Sequence, residues 1–279
     1  MSTFFSTAGP AKEVTHGSAT FELPILYFRD DAFGLFYTAD PQKVKNLLPS
    51  DKLHPILLPG NRTIVGVAAF NYIDTTIGSY GEIGLVIPVV HSNKVPRILL
   101  PLLLESRYPG FGVLVMHLPV TKSIARDAGR GQWGYTKFVA DMTFMITPEF
   151  MECRMKEAER EILTMRVARK GIPVRDKKPL ITYSVLNGNL IKTIIPQTGS
   201  FRLSVSPQDS FLKLGNHPVA ESFGNLGLGR SPLLSRCYLE RNAILPAGEI
   251  IETDVRPLDG YVGEDREEIH EIRYTEAIE

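Results

Sequence analysis

Gly129-Arg130-Gly131-Gln132-Trp133-Gly134-Tyr135-Thr136-Lys137-Phe138-Val139-Ala140 is the stretch whose reading decides the fold. Its first six residues spell G-x-G-x-x-G, the glycine pattern of a dinucleotide-binding turn. That turn needs a strand before the glycines, a helix after them and an acidic residue about twenty positions on. Here the context is inverted. Residues 121–128 read as a short helix with Thr121 as its cap, and residues 138–146 read as a strand. Nucleotide binding is therefore rejected, and the stretch is predicted to be a tight loop whose glycines permit unusual backbone angles.

Outward from this loop the chain reads as strands. Residues 33–37, 63–72, 112–118, 236–244 and 249–255 are predicted strands, and the unbroken apolar run 83–90 suggests a strand buried on both faces. Residues 149–157 and 161–168 alternate about a hairpin turn at 158–160. Asn187-Gly188 is the strongest hairpin signal, joining 181–186 to 190–195. Asp40-Pro41 starts a short helix that sets Val44, Leu47 and Leu48 on one face and ends at Pro49. There is no βαβ rhythm and no repeat. The expected fold is mainly β (β-rich α+β): an antiparallel β-barrel or double-sheet core with a few short peripheral helices. One domain is expected over 21–260. A small, polar segment at 1–20, read as an arm or a disordered lead-in, precedes it, and a charged, frayed tail follows at 261–279.

Composition excludes several function classes. Lys plus Arg is 31 and Asp plus Glu is 31, so no basic field marks a general nucleic-acid binder, and little charge opposes self-association. Cys153 and Cys237 read as buried, reduced thiols of an intracellular protein. The N-terminus lacks a basic start and a sustained apolar core, so it is not a signal peptide. The run 98–104 is broken by Pro101 and is too short to cross a membrane. These readings give a cytoplasmic protein with no membrane or nucleic-acid partner. His16, His54, His91, His117, His217 and His270 show no ligand spacing, so neither a metal nor a cofactor is expected. The second glycine-rich segment, Gly224 to Arg230, lacks the Lys-Ser/Thr of a phosphate loop and reads as a surface loop.

Two residues carry candidate chemistry. Lys137 stands between Tyr135 and an apolar run, where its amine can be desolvated and act as a nucleophile toward a keto acid. An ordinary lysine, with a pKa of about 10.4, is neutral in only about one molecule in two thousand at pH 7. Burial disfavours the charged form, and most lysines are exposed. Glu82 opens an otherwise apolar strand and shares a face with Gly84 and Val86. It reads either as a solvated carboxylate at a strand end or as a carboxylate at the mouth of an apolar pocket.

Gly129-Arg130 followed by Trp133-Gly134-Tyr135-Thr136-Lys137 resembles the Schiff-base loop of the acetoacetate decarboxylase superfamily. Further similar pieces occur in order: Phe28-Arg29-Asp30 before Tyr37 and Asp40, Tyr80-Gly81-Glu82 before Ile87-Pro88-Val89, Leu190 to Pro196, and Ile244-Leu245-Pro246 before Glu249. They span most of 25–255. The resemblance implies a β-barrel-like core of antiparallel strands and homo-oligomers. It also implies that Lys137 is the Schiff-base lysine and Glu82 the pocket carboxylate. Arg29 would hold a substrate carboxylate, though its spacing to Tyr37 differs by one. Tyr135 and Phe138 would adjoin the substrate, and Arg130, Trp133 and Gly134 would build the loop. That activated-lysine chemistry is described for acetoacetate decarboxylase itself. Four positions depart from the pattern: Phe138 replaces a second lysine, Thr136 a proline and Gly131 a glutamate, and a second glutamate is missing near Gly66 and Val67. The expected function is a Schiff-base lyase that decarboxylates a small β-keto acid. An aldolase or dehydratase on pyruvate-like substrates and a non-catalytic small-ligand binder are the alternatives; a structural role in an assembly is the weakest.

Overall fold

The computed structural model describes residues 3–99, 101, 107–263 and 273–274. Most of the apolar run 98–104 and of the charged tail 261–279 lies outside these residues.

Strands dominate, as the alternation predicts, and they assemble into two large sheets and one N-terminal hairpin. The eleven-stranded sheet runs Ile172–Asp176, Gln197–Val205, Leu234–Leu245, Ile25–Ala39, Thr63–Thr75, Tyr80–His91, Phe111–His117, Leu180–Leu186, Asn189–Ile195 and Glu249–Glu252, with Leu53–Pro55 beside Tyr80–His91. The five-stranded sheet runs Phe211–Leu214, Arg160–Ala168, Phe150–Glu157, Asp141–Ile146 and Arg273–Tyr274. Each keeps two edges among the described residues, so the core is a double sheet and not a closed barrel. Pairing is antiparallel except where Phe111–His117 meets Leu180–Leu186 and where Arg273–Tyr274 meets Asp141–Ile146.

The strand Tyr80–His91, in the middle of the large sheet, is buried on both faces, which is why it reads as one apolar run. Ile83, Leu85, Ile87 and Val89 point toward the small sheet and pack with Phe144, Met151, Met155 and Met165. The alternate residues face a second core built from Tyr27, Tyr72, Tyr80, Leu118, Trp133 and Tyr135. Glu82, Gly84 and Val86 belong to that second face: Gly84 approaches Leu118, and Val86 packs on the second core. Cys153 and Cys237 are buried free thiols. None of the described helices is long and apolar enough to cross a membrane.

Local signals hold at several places. The Asp40 side chain accepts from the Gln42 and Lys43 amides at the start of Pro41–Leu47, although Leu47 is half-exposed and only Val44 of that helix is buried. Asn187 and Gly188 both adopt positive φ, as their two-residue turn requires.

Two expectations are corrected. The segment read as an arm at 1–20 contains the strand Lys12–His16, which pairs with Ala19–Leu23 and packs on the helix Ser123–Trp133. Phe21 and Leu23 alternate inward into the second core, which its small, polar lead-in concealed. The glycine-rich stretch is also not a loop over its first half. The helix runs on through Gly129 and Gly131 to Trp133, with Lys122 and not Thr121 at its cap. The Thr121 hydroxyl instead accepts from the Gly81 amide, 2.9 Å away. Only Gly134, at φ 69°, takes the left-handed conformation, and it ends the helix.

Candidate active site

The helix end and the strand that follows it place Lys137. Beyond Gly134 the chain is extended alongside residues 118–120: the Leu118 amide donates to the Thr136 carbonyl at 3.1 Å and the Val120 amide to the Phe138 carbonyl at 2.9 Å. Extended backbone alternates its side chains. Tyr135 and Lys137 therefore face the second core, and Phe138 faces the first. Arg130 fixes this segment from the helix: its Nε donates to the Lys137 carbonyl at 2.7 Å, and its guanidinium also meets the Val262 carbonyl. The Trp133 indole donates to the Pro246 carbonyl at 3.0 Å, and its ring stacks on Tyr135.

Helical glycines give the lysine its room. A Cβ at Gly129 would lie 2.4 Å from Lys137 Cε, so the lysine stem runs directly over the bare helix backbone. A Cβ at Gly131 would lie 2.3 Å from the His16 ring, so the second glycine admits the N-terminal hairpin. Both are helical glycines required by close approach, and neither reads a phosphate.

Lys137 Nζ lies 2.6 Å from Glu82 Oε2, with the two residues only 5% and 7% exposed. Glu82 is thus a buried carboxylate, not a solvated strand end. The Tyr72 hydroxyl donates to its other oxygen at 3.2 Å. The Tyr27 and Tyr80 hydroxyls are 2.9 Å apart, and the Tyr135 hydroxyl lies 2.7 Å from Thr182 Oγ1. Burial raises all four phenols: Tyr135 to about 12, and Tyr27, Tyr72 and Tyr80 further, with the Glu82 charge adding to each. They stay protonated, and the Tyr72 hydroxyl donates to Glu82. The sequence signal for Tyr80 was available, since it lies two residues before Glu82 on the same strand face. Tyr27 and Tyr72 come from other strands and left no comparable signal.

Arg29 is not part of this arrangement; it is exposed. The register of its strand shifts on both sides of Arg29, so that Asp30 takes the inward place opposite Tyr72. The buried arginine is Arg241, from the strand Leu234–Leu245, whose Nε donates to Asp30 Oδ1 at 3.0 Å and whose Nη1 donates to Gln197 at 2.9 Å. Its guanidinium also lies over the Phe70 ring. Burial raises the Asp30 carboxyl, with Arg241 opposing the rise, and Asp30 Oδ2 has no hydrogen-bond partner among the described residues. Arg241→Met is expected to destabilise the protein by about 3–5 kcal/mol by stranding this carboxylate, and Asp30→Asn in the same chain is expected to restore most of the loss. Equal urea midpoints for Arg241→Met and wild type would refute this.

Phe138 likewise lies away from the amine. Its ring stacks on His217 and meets Tyr261 edge-on. His217 Nδ1 accepts from the Val219 amide, so its Nε2 donates to Glu157 Oε2 at 2.9 Å, and Tyr261 donates to the same oxygen at 2.6 Å. Nearby, His117 is buried against Ser222. Burial lowers it from 6.5 to about 4, with His217 adding to the effect. Unfolded His117 takes up a proton below its ordinary value, whereas the folded residue resists. Stability from this group is therefore full above pH 6.5 and falls as pH drops toward 4, by up to about 3 kcal/mol. His117→Gln is expected to flatten the loss of stability between pH 7 and 5, measured by urea unfolding; an unchanged slope would count against this assignment.

A cavity of about 560 Å³ abuts the lysine loop, between Tyr135 and Thr136, the turn at Asn187-Gly188 and the segment Leu258 to Gly263. The amine and carboxylate are packed away from it. No group of three or more His, Cys, Asp or Glu among the described residues is placed to hold a metal.

The family model described as acetoacetate decarboxylase (ADC) matches residues 10–208. No curated protein matches the sequence. Among solved structures the chain is similar to acetoacetate decarboxylase from Legionella pneumophila, at 20% identity and TM-score 0.61 over 89% of this chain and 94% of that one. It is similar to an acetoacetate decarboxylase-like enzyme from Sphingomonas wittichii RW1, at 15% identity and TM-score 0.56 over 82% and 94%. It is also similar to the enduracididine biosynthesis enzyme MppR complexed with pyruvate, at 11% identity and TM-score 0.59 over 86% and 90%. At these identities the likenesses show a common fold.

Proposed function

Because the chain belongs to the acetoacetate decarboxylase family, we propose that it is a Schiff-base lyase that decarboxylates a small β-keto acid through Lys137. The observation that carries this reading is the buried 2.6 Å contact between Lys137 Nζ and Glu82 Oε2. An ammonium cannot attack a ketone. Transfer of one proton across this contact leaves a neutral amine and a neutral acid, with no net charge moved into the core.

The amine then adds to the ketone carbon. The resulting carbinolamine loses water as Glu82 returns its proton, giving a cationic imine beside a carboxylate. The bond to the substrate carboxyl breaks, carbon dioxide leaves, and the electron pair flows into the imine to give a neutral enamine. A proton drawn from solvent and delivered by Glu82 goes to the enamine carbon, and water hydrolyses the product imine to release the ketone. Loss of carbon dioxide removes a negative charge from a buried site that already holds Glu82 and discharges the imine cation, so the dry surroundings favour this step.

A second reading, aldol addition with dehydration on a pyruvate-like substrate, uses the same imine. The structural neighbour MppR, solved with the condensation product of pyruvate and imidazole 4-carboxaldehyde, supports it at the level of fold. One experiment separates the readings. The protein is incubated with acetoacetate or pyruvate, reduced with borohydride and weighed, while carbon dioxide is collected. An adduct on Lys137 with carbon dioxide release is expected from acetoacetate. An adduct without release would favour the aldol reading, and no adduct with either acid would leave only ligand binding.

A further inference from the structure

We propose that Tyr80 and Tyr135 hold the imine nitrogen between their ring faces and so set how much of the enzyme stands as the iminium. The inference rests on the Schiff-base reading and adds two electrostatic partners to it. Lys137 Nζ lies 5.9 Å from the Tyr80 ring centroid and 6.0 Å from that of Tyr135, each as a cation over a ring face. The face of an aromatic ring is negative, and its pull on a cation grows when water is excluded. Both rings are buried.

The rings are also locked in place. Tyr80 packs on Tyr72 at 4.6 Å between centroids and shares a hydrogen bond with Tyr27; Tyr135 stacks on Trp133 and is tied to Thr182. The lysine stem is pinned over Gly129, so the nitrogen keeps its place when it becomes an imine. Its remaining N–H then still points at Glu82.

The charge history of the reaction says which kinetic constant the rings control. The nitrogen is cationic in the iminium and becomes neutral as the carbon–carbon bond breaks. The rings therefore stabilise the reactant of that step more than its transition state. They raise the iminium population, and so lower the apparent KM, without raising kcat.

The test uses acetone, a ketone without a carboxylate, as the trapping probe with borohydride, and acetoacetate for turnover. Tyr80→Leu and Tyr135→Leu are each expected to need about tenfold more acetone for half-maximal trapping and to raise the apparent KM for acetoacetate by a larger factor than they change kcat. Tyr80→Phe and Tyr135→Phe, which keep the ring and lose the hydroxyl, are expected to trap within about twofold of wild type. Where a leucine variant fails to fold, pentafluorophenylalanine at the same position drains the ring face that phenylalanine keeps, without an ionisable hydroxyl, and is expected to act as leucine does. Phenylalanine variants as weak as the leucine ones would overturn the proposal, because the hydroxyl and not the ring would then matter. So would leucine or fluorinated variants that trap normally while the wild type forms its adduct. No adduct in the wild type would instead sink the Schiff-base reading on which this one rests.

Discussion

Lys137→Met is expected to lower kcat by about 10⁴-fold or more and to abolish the borohydride adduct. Methionine keeps much of the lysine's length and apolar contact but has no amine. Among the described residues no other lysine amine contacts Glu82. The same change has a second consequence. Glu82 keeps only the Tyr72 hydroxyl, in a site where it is 7% exposed. Stranding a buried charge costs about 3–5 kcal/mol. Lys137→Met should therefore unfold at a lower temperature than wild type, and Lys137→Met combined with Glu82→Gln should recover most of the difference while remaining inactive. Activity retained in either variant would remove Lys137 from the chemistry.

The second large effect comes from a residue that never touches substrate. Gly129→Ala puts a methyl group 2.4 Å from Lys137 Cε and 2.5 Å from Cδ. Real atoms do not approach so closely, and the lysine stem is the part free to move. Alanine is better than glycine inside a helix by about 1 kcal/mol, which offsets strain elsewhere and should leave the melting temperature near that of wild type. Displacing the amine from Glu82 by about 1 Å should cut kcat/KM by about 10²-fold. Stability and activity are thus expected to part company. A variant that is as active as wild type would show that the lysine finds another path, and the close approach would then have no functional weight.

Much of the fold was legible because it rests on short-range chemistry. Asp40-Pro41 caps a helix, Asn187-Gly188 turns a hairpin, and the run 83–90 is apolar because both of its faces are covered. The helix end misled for an equally local reason. Gly129 and Gly131 argue against a helix by propensity, and the close approach of Lys137, just beyond the helix end, and of His16, from the N-terminal hairpin, overrides it.

The site divides in the same way. Lys137 and Glu82 stood out as a lysine before an apolar run and an acid opening an apolar strand, and Tyr135, Arg130, Trp133 and Gly134 came with the loop. Arg29 and Phe138 each lie one position away from the face that holds Lys137 and Glu82. Side chains of extended backbone alternate between faces, so a single shift of register exchanges pocket for surface, or one core for the other. The irregularity beside Arg29 turns Asp30 inward, and the extended run through Lys137 turns Phe138 toward His217. Arg241 lies 211 positions from its partner Asp30, and only strand pairing joins them.

The sequence by itself determined that this chain builds sheets, where its main turns fall, and which lysine and which glutamate could meet. Period and turn chemistry are properties of neighbours along the chain. The tertiary structure alone decided that the two do meet at 2.6 Å, that four tyrosines from separate segments surround them, and which face each neighbouring residue takes. Those outcomes depend on register and on the packing of one sheet between two cores, which only the assembled chain sets.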